Sequence, residues 1–391
     1  MSTQRIPATT MKILPSLICI LFSLHVSARS GENSIRISVI NPAAIDRKAE
    51  TVGVCLTDLR GKGLAGDVDQ LIVADKKSGQ NLLYQIGEDT LLFQADFKSG
   101  EEREFLIRQA DQSMARPSPL VDGRFEKPRE DYAWENDRIA FRMYGPALAA
   151  EVNNGIDVWT KRVRYLIVEK WYRESAMAGK DTYHEDHGEG ADLFSVGRSL
   201  GAGGAGLWLD GKVRQPGVFS SCRTIQNGPI RVAFELVYNN WNAGGRVFTE
   251  HVRISLDAGT NLNRIQLMFD VSGANDSLPI ACGLVKRAGT TADKDESNLW
   301  ASVWGPTTND MANGFLGTGI VFSPLSFTRF TADSDQYLVM GSAKVGEPFV
   351  YYAGAGWTGS SDFATESAWK SYLADFARRL LSPLEVKIHA D

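Results

Sequence analysis

The chain reads as a mainly β protein, a large antiparallel β-sandwich closed by one C-terminal helix. Three observations predict this. From residue 35 onward, short stretches alternate apolar and polar residues at the period of a half-buried strand. Turn residues break these stretches at short, regular intervals, as in two-sheet proteins. Clear helical periodicity comes only near the C-terminus.

In chain order, residues 1–28 read as a secretory signal peptide. Lys12 precedes an apolar run, Ile13 to Phe22, which ends at the small residues of Val26-Ser27-Ala28. The run is too short for a membrane anchor. The expected location is periplasmic or secreted, with no membrane insertion after signal cleavage. Export permits disulfides, and beyond Cys19 in the apolar run the chain carries Cys55, Cys222 and Cys282, an odd set that allows one bridge.

An N-terminal β layer or domain is expected over 29–112. Its strands are Ile35–Val39, Thr51–Leu56, Gln70–Ala74, Leu82–Ile86, Leu91–Ala95 and Glu104–Arg108. The proline-rich stretch 115–129 reads as a linker or covering loop. Residues 113–391 then form the main sandwich, which carries the candidate site. Trp134–Pro146 reads as a strand with Ile139, Phe141 and Met143 on one face and Arg138, Ala140, Arg142 and Tyr144 on the other. Around Leu166-Ile167-Val168 strand and short helix are both open. Gly206–Lys212 reads as a hairpin with an Asp210-Gly211 turn. Further strands follow at Ile230–Tyr238, Arg246–Leu256, Asn263–Val271 and Leu278–Val285. Trp369, Tyr372, Leu373, Phe376 and Leu380 fall at helical spacing before Pro383, which stops the run.

A formal charge of −5, from 42 Lys and Arg against 47 Asp and Glu, leaves no basic patch of the nucleic-acid-binding kind. Chemistry concentrates in Asp181–Gly211, where His184 and His187 stand among Tyr183, Glu185, Asp186, Glu189 and Asp192, with a glycine run from Gly201 to Gly206. Glycines make an irregular loop the expected geometry. Two chemistries suit it: a divalent-cation site of imidazole and carboxylates, or acid–base catalysis by His and Tyr. His187 follows His184 by three residues, so the spacing is not that of the His-Glu-x-x-His metalloproteases. The competing reading is a solvated acidic loop. Arg142 with Arg138 could hold an anion, or be paired at a surface. His251, on a strand face with Thr249 and Arg253, is a candidate partner for the cluster, though a lone strand histidine is more often structural. Trp241, Trp300, Trp304 and Trp357 suit stacking on sugar rings or capping of cores.

Several segments resemble one family: WENDRIAFRMYGPAL (134–148), TYHEDHGEGADLFSVGRSLGAGG (182–204), the turn Trp208–Lys212, and Tyr352–Trp357 with Ser361-Asp362-Phe363. Together they are similar to the exported bacterial domain of unknown function 4861, and the likeness covers nearly the whole mature chain. It implies a sandwich of the mutarotase-like or lyase-like kind (a supersandwich), an oligosaccharide substrate, and processing of uronate-containing glycans. β-Elimination across C4–C5 of a uronate needs a group to hold the carboxylate, a base for the α-proton and an acid for the leaving oxygen. The candidates are Arg138, Arg142 or a divalent cation on Glu185, Asp186 and Glu189 for the first, His184 or His187 for the second, and Tyr183 or Tyr144 for the third. Arg198, Trp208 and His251 complete the substrate-binding set. The alternatives are a glycoside hydrolase using the acidic cluster, a non-catalytic glycan-binding sandwich, and a mutarotase-like epimerase.

Overall fold

The alternation seen in the sequence becomes burial. In strand Arg246–Asp257 every second side chain, from Phe248 through Glu250, Val252 and Ile254 to Leu256, is buried, and those between are partly exposed. A computed structural model describes residues 34–110, 117–127, 129–271, 276–307 and 311–389. The expected signal peptide lies outside the described residues.

The protein is mainly β, and its strand ladders are antiparallel. An eight-stranded sheet runs in the order Ser221–Asn227, Arg231–Ala243, Arg246–Asp257, Leu262–Val271, Phe349–Trp357, Phe315–Phe322, Trp300–Pro306 and Thr291–Asp295. Two five-stranded sheets share its core. One runs Lys212–Arg214, Ala202–Leu209, Ser277–Val285, Gln336–Lys344, Phe327–Ala332, and the other Gly190–Asp192, Asp157–Lys161, Ala140–Met143, Asp131–Asn136, Val121–Glu126. Tyr132, Trp134, Phe234, Ile254, Ile280, Phe322 and Tyr351 are among the side chains that fill it. A second core lies between a five-stranded sheet, in which Glu385–His389 pairs with Ile35–Ile40, and the three strands Arg47–Cys55, Thr90–Phe97 and Tyr84–Gly87.

The expected C-terminal helix spans Glu366–Leu381. The Thr365 side chain caps it by accepting from the Ala368 N–H at 3.2 Å, and Trp369, Leu373 and Ala377 are its buried stripe. The Asp210-Gly211 turn also forms, both residues at positive φ (52° and 73°), as a primed hairpin turn requires. At Val168–Ala178 the helical alternative holds.

Three expectations are corrected. The stretch 115–129 is not all linker: Val121–Glu126 pairs with Asp131–Asn136, because Val121 and Gly123 point into the core between flanking prolines. Trp134–Pro146 is not one strand but a hairpin, since Asn136 Oδ1 accepts from the N–H groups of Arg138 and Ile139 and turns the chain. The three cysteines are free, so no disulfide forms among them.

Strands Asp131–Asn136 and Ala140–Met143 are buried on both faces. Tyr132, Trp134, Phe141 and Met143 enter the main core, whereas Ala133 and Ala140 join Trp159, Trp171, Tyr172 and Tyr183 in a separate cluster that includes helix Val168–Ala178. Arg142 lies opposite Ala133 and Asp157 on that helix-covered face. The sheet therefore holds charged groups between itself and a helix, and the candidate site is built there.

Candidate active site

The His-rich segment is a loop held by its own polar groups. Asp186 accepts from the N–H of Gly188 at 2.8 Å and of Gly190 at 2.9 Å, and from Arg162 Nε at 2.6 Å. Gly190 sits at φ 110°, where a Cβ would lie 2.1 Å from the Thr160 carbonyl oxygen, so only glycine lets the loop close onto strand Asp157–Lys161. That closure starts strand Gly190–Asp192 and sets Asp192 opposite Trp159.

Arg142 is the hub of the enclosed cluster. Its Nη2 donates to Asp157 Oδ2 at 2.7 Å and Asp192 Oδ2 at 2.9 Å, and its Nη1 lies 3.7 Å from Asp131 Oδ2. It also donates to the hydroxyls of Tyr144 at 3.3 Å and Tyr183 at 3.5 Å, and its guanidinium stands 4.9 Å from the Trp159 ring centroid. Three carboxylates about one guanidinium would leave two uncompensated charges, which an interior does not sustain. Burial pushes Asp131 up to about 6 and Asp192 well above the ordinary carboxylate range, with Asp157 adding repulsion at Asp192 and Arg142 opposing it. Burial likewise raises both tyrosines, so Tyr144 and Tyr183 resist ionisation.

His184 joins this cluster to the surface. Its side chain is 52% exposed, and its Nδ1 lies 3.4 Å from the Asp192 main-chain oxygen and 3.5 Å from Asp192 Oδ2. A carbonyl oxygen only accepts, so Nδ1 carries the hydrogen and Nε2 keeps its lone pair, with Asp181 Oδ2 3.9 Å away. His184 and Asp192 line a cleft of about 690 Å³ together with Phe194, Val196, Lys286, Arg287 and Thr307.

The other expected site residues are placed as follows. His187 and Glu185 are exposed, their side chains 3.9 Å apart. Tyr183 stacks on Trp159 at 4.5 Å, and neither it nor Tyr144 lines the cleft. Arg138 pairs with Asp362 at 2.7 Å from the hairpin turn, away from the strand face expected for it. Arg198 donates to the Ala150 carbonyl. Trp208 packs beside Leu200, Leu338 and Met340. His251 stands between Glu235 at 3.9 Å and Asp270 at 3.5 Å on the eight-stranded sheet. Trp241, Trp300, Trp304 and Trp357 are all buried and cap cores. The glycine run serves close backbone packing: a Cβ at Gly201 would meet the Ile156 carbonyl oxygen at 2.3 Å.

The set expected to hold a divalent cation does not converge. Asp186 is engaged by Arg162, and Glu189 accepts from Lys170 Nζ and the Tyr165 hydroxyl. Among the described residues no group of three or more His, Cys, Asp or Glu side chains is arranged to hold a metal. Asp131, Asp157, Trp159, Lys286 and Arg287 were not singled out from sequence, and two of them are instructive. Asp157 directly precedes the apolar pair Val158-Trp159, a signal that was available. Arg287 follows strand Ser277–Val285 at the start of a turn, with nothing local to mark it.

The model of a family described as a domain of unknown function, DUF4861, matches residues 39–386. An uncharacterized protein, P7, of Formosa agariphila is 33% identical over 318 residues, covering 77% of this chain and 78% of that protein. Among solved structures, a protein in the glycosyl hydrolase family 38 from Enterococcus faecalis aligns over 92% of this chain at 10% identity and a TM-score of 0.43, and this chain spans 48% of its length.

Proposed function

The chain belongs to the family of the domain of unknown function 4861, and from that premise we propose an exported carbohydrate-active enzyme that opens uronate-containing oligosaccharides by β-elimination. The observation that carries the reading is His184: a half-exposed imidazole that keeps its Nε2 lone pair, held from behind by buried Asp192, on the wall of a cleft large enough for a sugar unit. Export rests on the signal-like N-terminus.

In the proposed step, His184 Nε2 takes the proton from C5 of the uronate, and the C5–H electron pair forms the C4–C5 double bond as the C4–O bond breaks. The leaving oxygen then recovers a proton from the same imidazole, so one histidine serves as base and then acid on one face of the ring. The Asp192 main-chain oxygen, 3.4 Å from Nδ1, holds the imidazole in this tautomer. Arg142, Asp157 and Trp159 hold Asp192 in place: Trp159 Nε1 donates to Asp157 Oδ2 at 3.0 Å, and Asp157 in turn binds Arg142. A sugar leaving group makes the enzyme a lyase, a hydroxyl a dehydratase. Hydrolysis is less well supported, because it needs two carboxylates across the bond and among the described residues Asp192 alone supplies one to the cleft.

The test is to incubate the mature protein with uronate-rich oligosaccharides, following ultraviolet absorbance of unsaturated uronates and product mass. Absorbance should rise, and His184→Ala should lower the rate by at least about 100-fold. The product mass separates dehydratase from lyase. A chelator should leave the rate unchanged, since Asp186 and Glu189 are engaged elsewhere. New reducing ends without absorbance would refute elimination.

A further inference from the structure

Several arginines around the site are paired with carboxylates, and one that lines the cleft has no such partner among the described residues. Arg138 and Arg164 share Asp362, Arg142 holds Asp157 and Asp192, and Arg162 holds Asp186. Lys286, at the cleft wall, donates to the Asp333 carbonyl and lies 4.9 Å from the Tyr337 ring centroid. Arg287 differs. Its Nη2 donates to the Leu316 carbonyl at 2.9 Å, but Nε and Nη1 are shut from water and have no acceptor among the described residues. Its guanidinium stands 5.3 Å from the Phe194 ring centroid, and burial pushes its pKa down to about 10 with no carboxylate opposing the effect. A half-satisfied cation of this kind costs stability and persists where something else needs it.

We propose that Arg287 is the carboxylate anchor of the cleft, holding the acid group of a uronate sugar while His184 works on the adjacent carbon. The inference rests on reading the cleft as an enzyme site. A guanidinium has the planar fork that a carboxylate fits. Nε and Nη1 are covered, so the acid group engages them as the side chains over them give way, and the low-dielectric wall beside Phe194 strengthens the contact. Among the described residues no ion pair holds Arg287, whereas at Arg138 or Arg142 a ligand carboxylate would have to break one first. Lys286 and Arg287 add two cationic groups to the lining that His184 shares, which favours acidic over neutral sugars. The same contact draws electron density from the carboxylate as the C5 proton leaves.

Binding tests this without turnover. Calorimetry would compare a glucuronate-containing disaccharide with its carboxyl-reduced counterpart on the full mature protein. The acid should bind about 10- to 100-fold more tightly to wild type. Arg287→Met should erase that preference and leave the neutral disaccharide unaffected, and Arg287→Lys should keep part of it. Because Arg287→Met removes an uncompensated charge, its melting temperature should not fall. Equal affinity of wild type for the two sugars, or equal weakening of both by Arg287→Met, would overturn the assignment. So would a collapse of both variants on melting, which would make Arg287 a structural residue. Acid-selective binding without any elimination product would refute the proposed reaction and leave the anchor standing. Elimination that persists in Arg287→Met with an unchanged KM would refute the anchor alone.

Discussion

A single carboxylate shows how far one residue can be read before its surroundings are known. Glu250 alternates with Thr249 and His251 and shares its strand face with Val252 and Ile254, so the sequence already puts an acid among apolar neighbours. It is fully enclosed, neither oxygen has a partner among the described residues, and burial alone raises it from 4.5 to about 8. Tyr238, Tyr351 and Cys282 nearby are also raised and offer no positive charge. The folded state therefore binds this proton more tightly than the unfolded chain. The resulting stability is complete below about pH 4.5 and is lost as pH rises towards 8. Glu250→Gln should remove that dependence and, at pH 9, unfold at higher urea than wild type, by on the order of 4 kcal/mol. Parallel pH profiles for the two proteins would refute it. The same contrast separates the site residues: His184 is visible in sequence because it sits in a dense cluster. Arg287 is not, because what matters is the partner it lacks, and that is decided by residues far along the chain.

At the scale of elements, helix Val168–Ala178 shows why sequence left strand and helix open. Ile167 at its N-terminus offers no capping side chain. The cap comes instead from another strand: Glu135 Oε1 accepts from the N–H groups of both Ile167 and Val168 at 2.7 Å, while Oε2 accepts from buried Lys161 at 2.5 Å. One carboxylate thus closes the helix, neutralises a lysine and ties the helix to the sheet. Local motifs cannot reveal a cap supplied 32 residues away. Glu135→Ala should cost about 3–5 kcal/mol, because it strands the Lys161 ammonium in the interior. Glu135→Leu combined with Lys161→Met should recover most of that loss and keep a deficit of about 1–2 kcal/mol from the missing cap. Denaturant unfolding of the two variants measures both numbers. A double variant as unstable as the single would show that the cap, not the ion pair, dominates.

At the scale of the whole molecule, the two ends of the described chain meet. All of Glu385–His389 pairs with residues 36–40 of strand Ile35–Ile40, and Val386 and Ile388 pack on the core of Ile37, Val39, Phe105 and Ile107. Arg379 reaches Glu50 at 3.1 Å, and Arg47 donates to the Ser382 carbonyl, so the C-terminal helix delivers that strand to its place. The β layer legible in the first third of the sequence is therefore completed by a segment that no local pattern joins to it. Removing residues 384–391 should bare the edge of Ile35–Ile40 together with its apolar row, at a cost on the order of 3 kcal/mol. An exposed strand edge pairs with other chains, so the truncated protein should associate as its concentration rises, measured by light scattering. The cleft between His184 and Arg287 draws on the other core, so His184-dependent turnover should survive the truncation in dilute, cold solution. Loss of turnover while the truncated chain stays monomeric would show instead that the small core is needed to hold the cleft in shape.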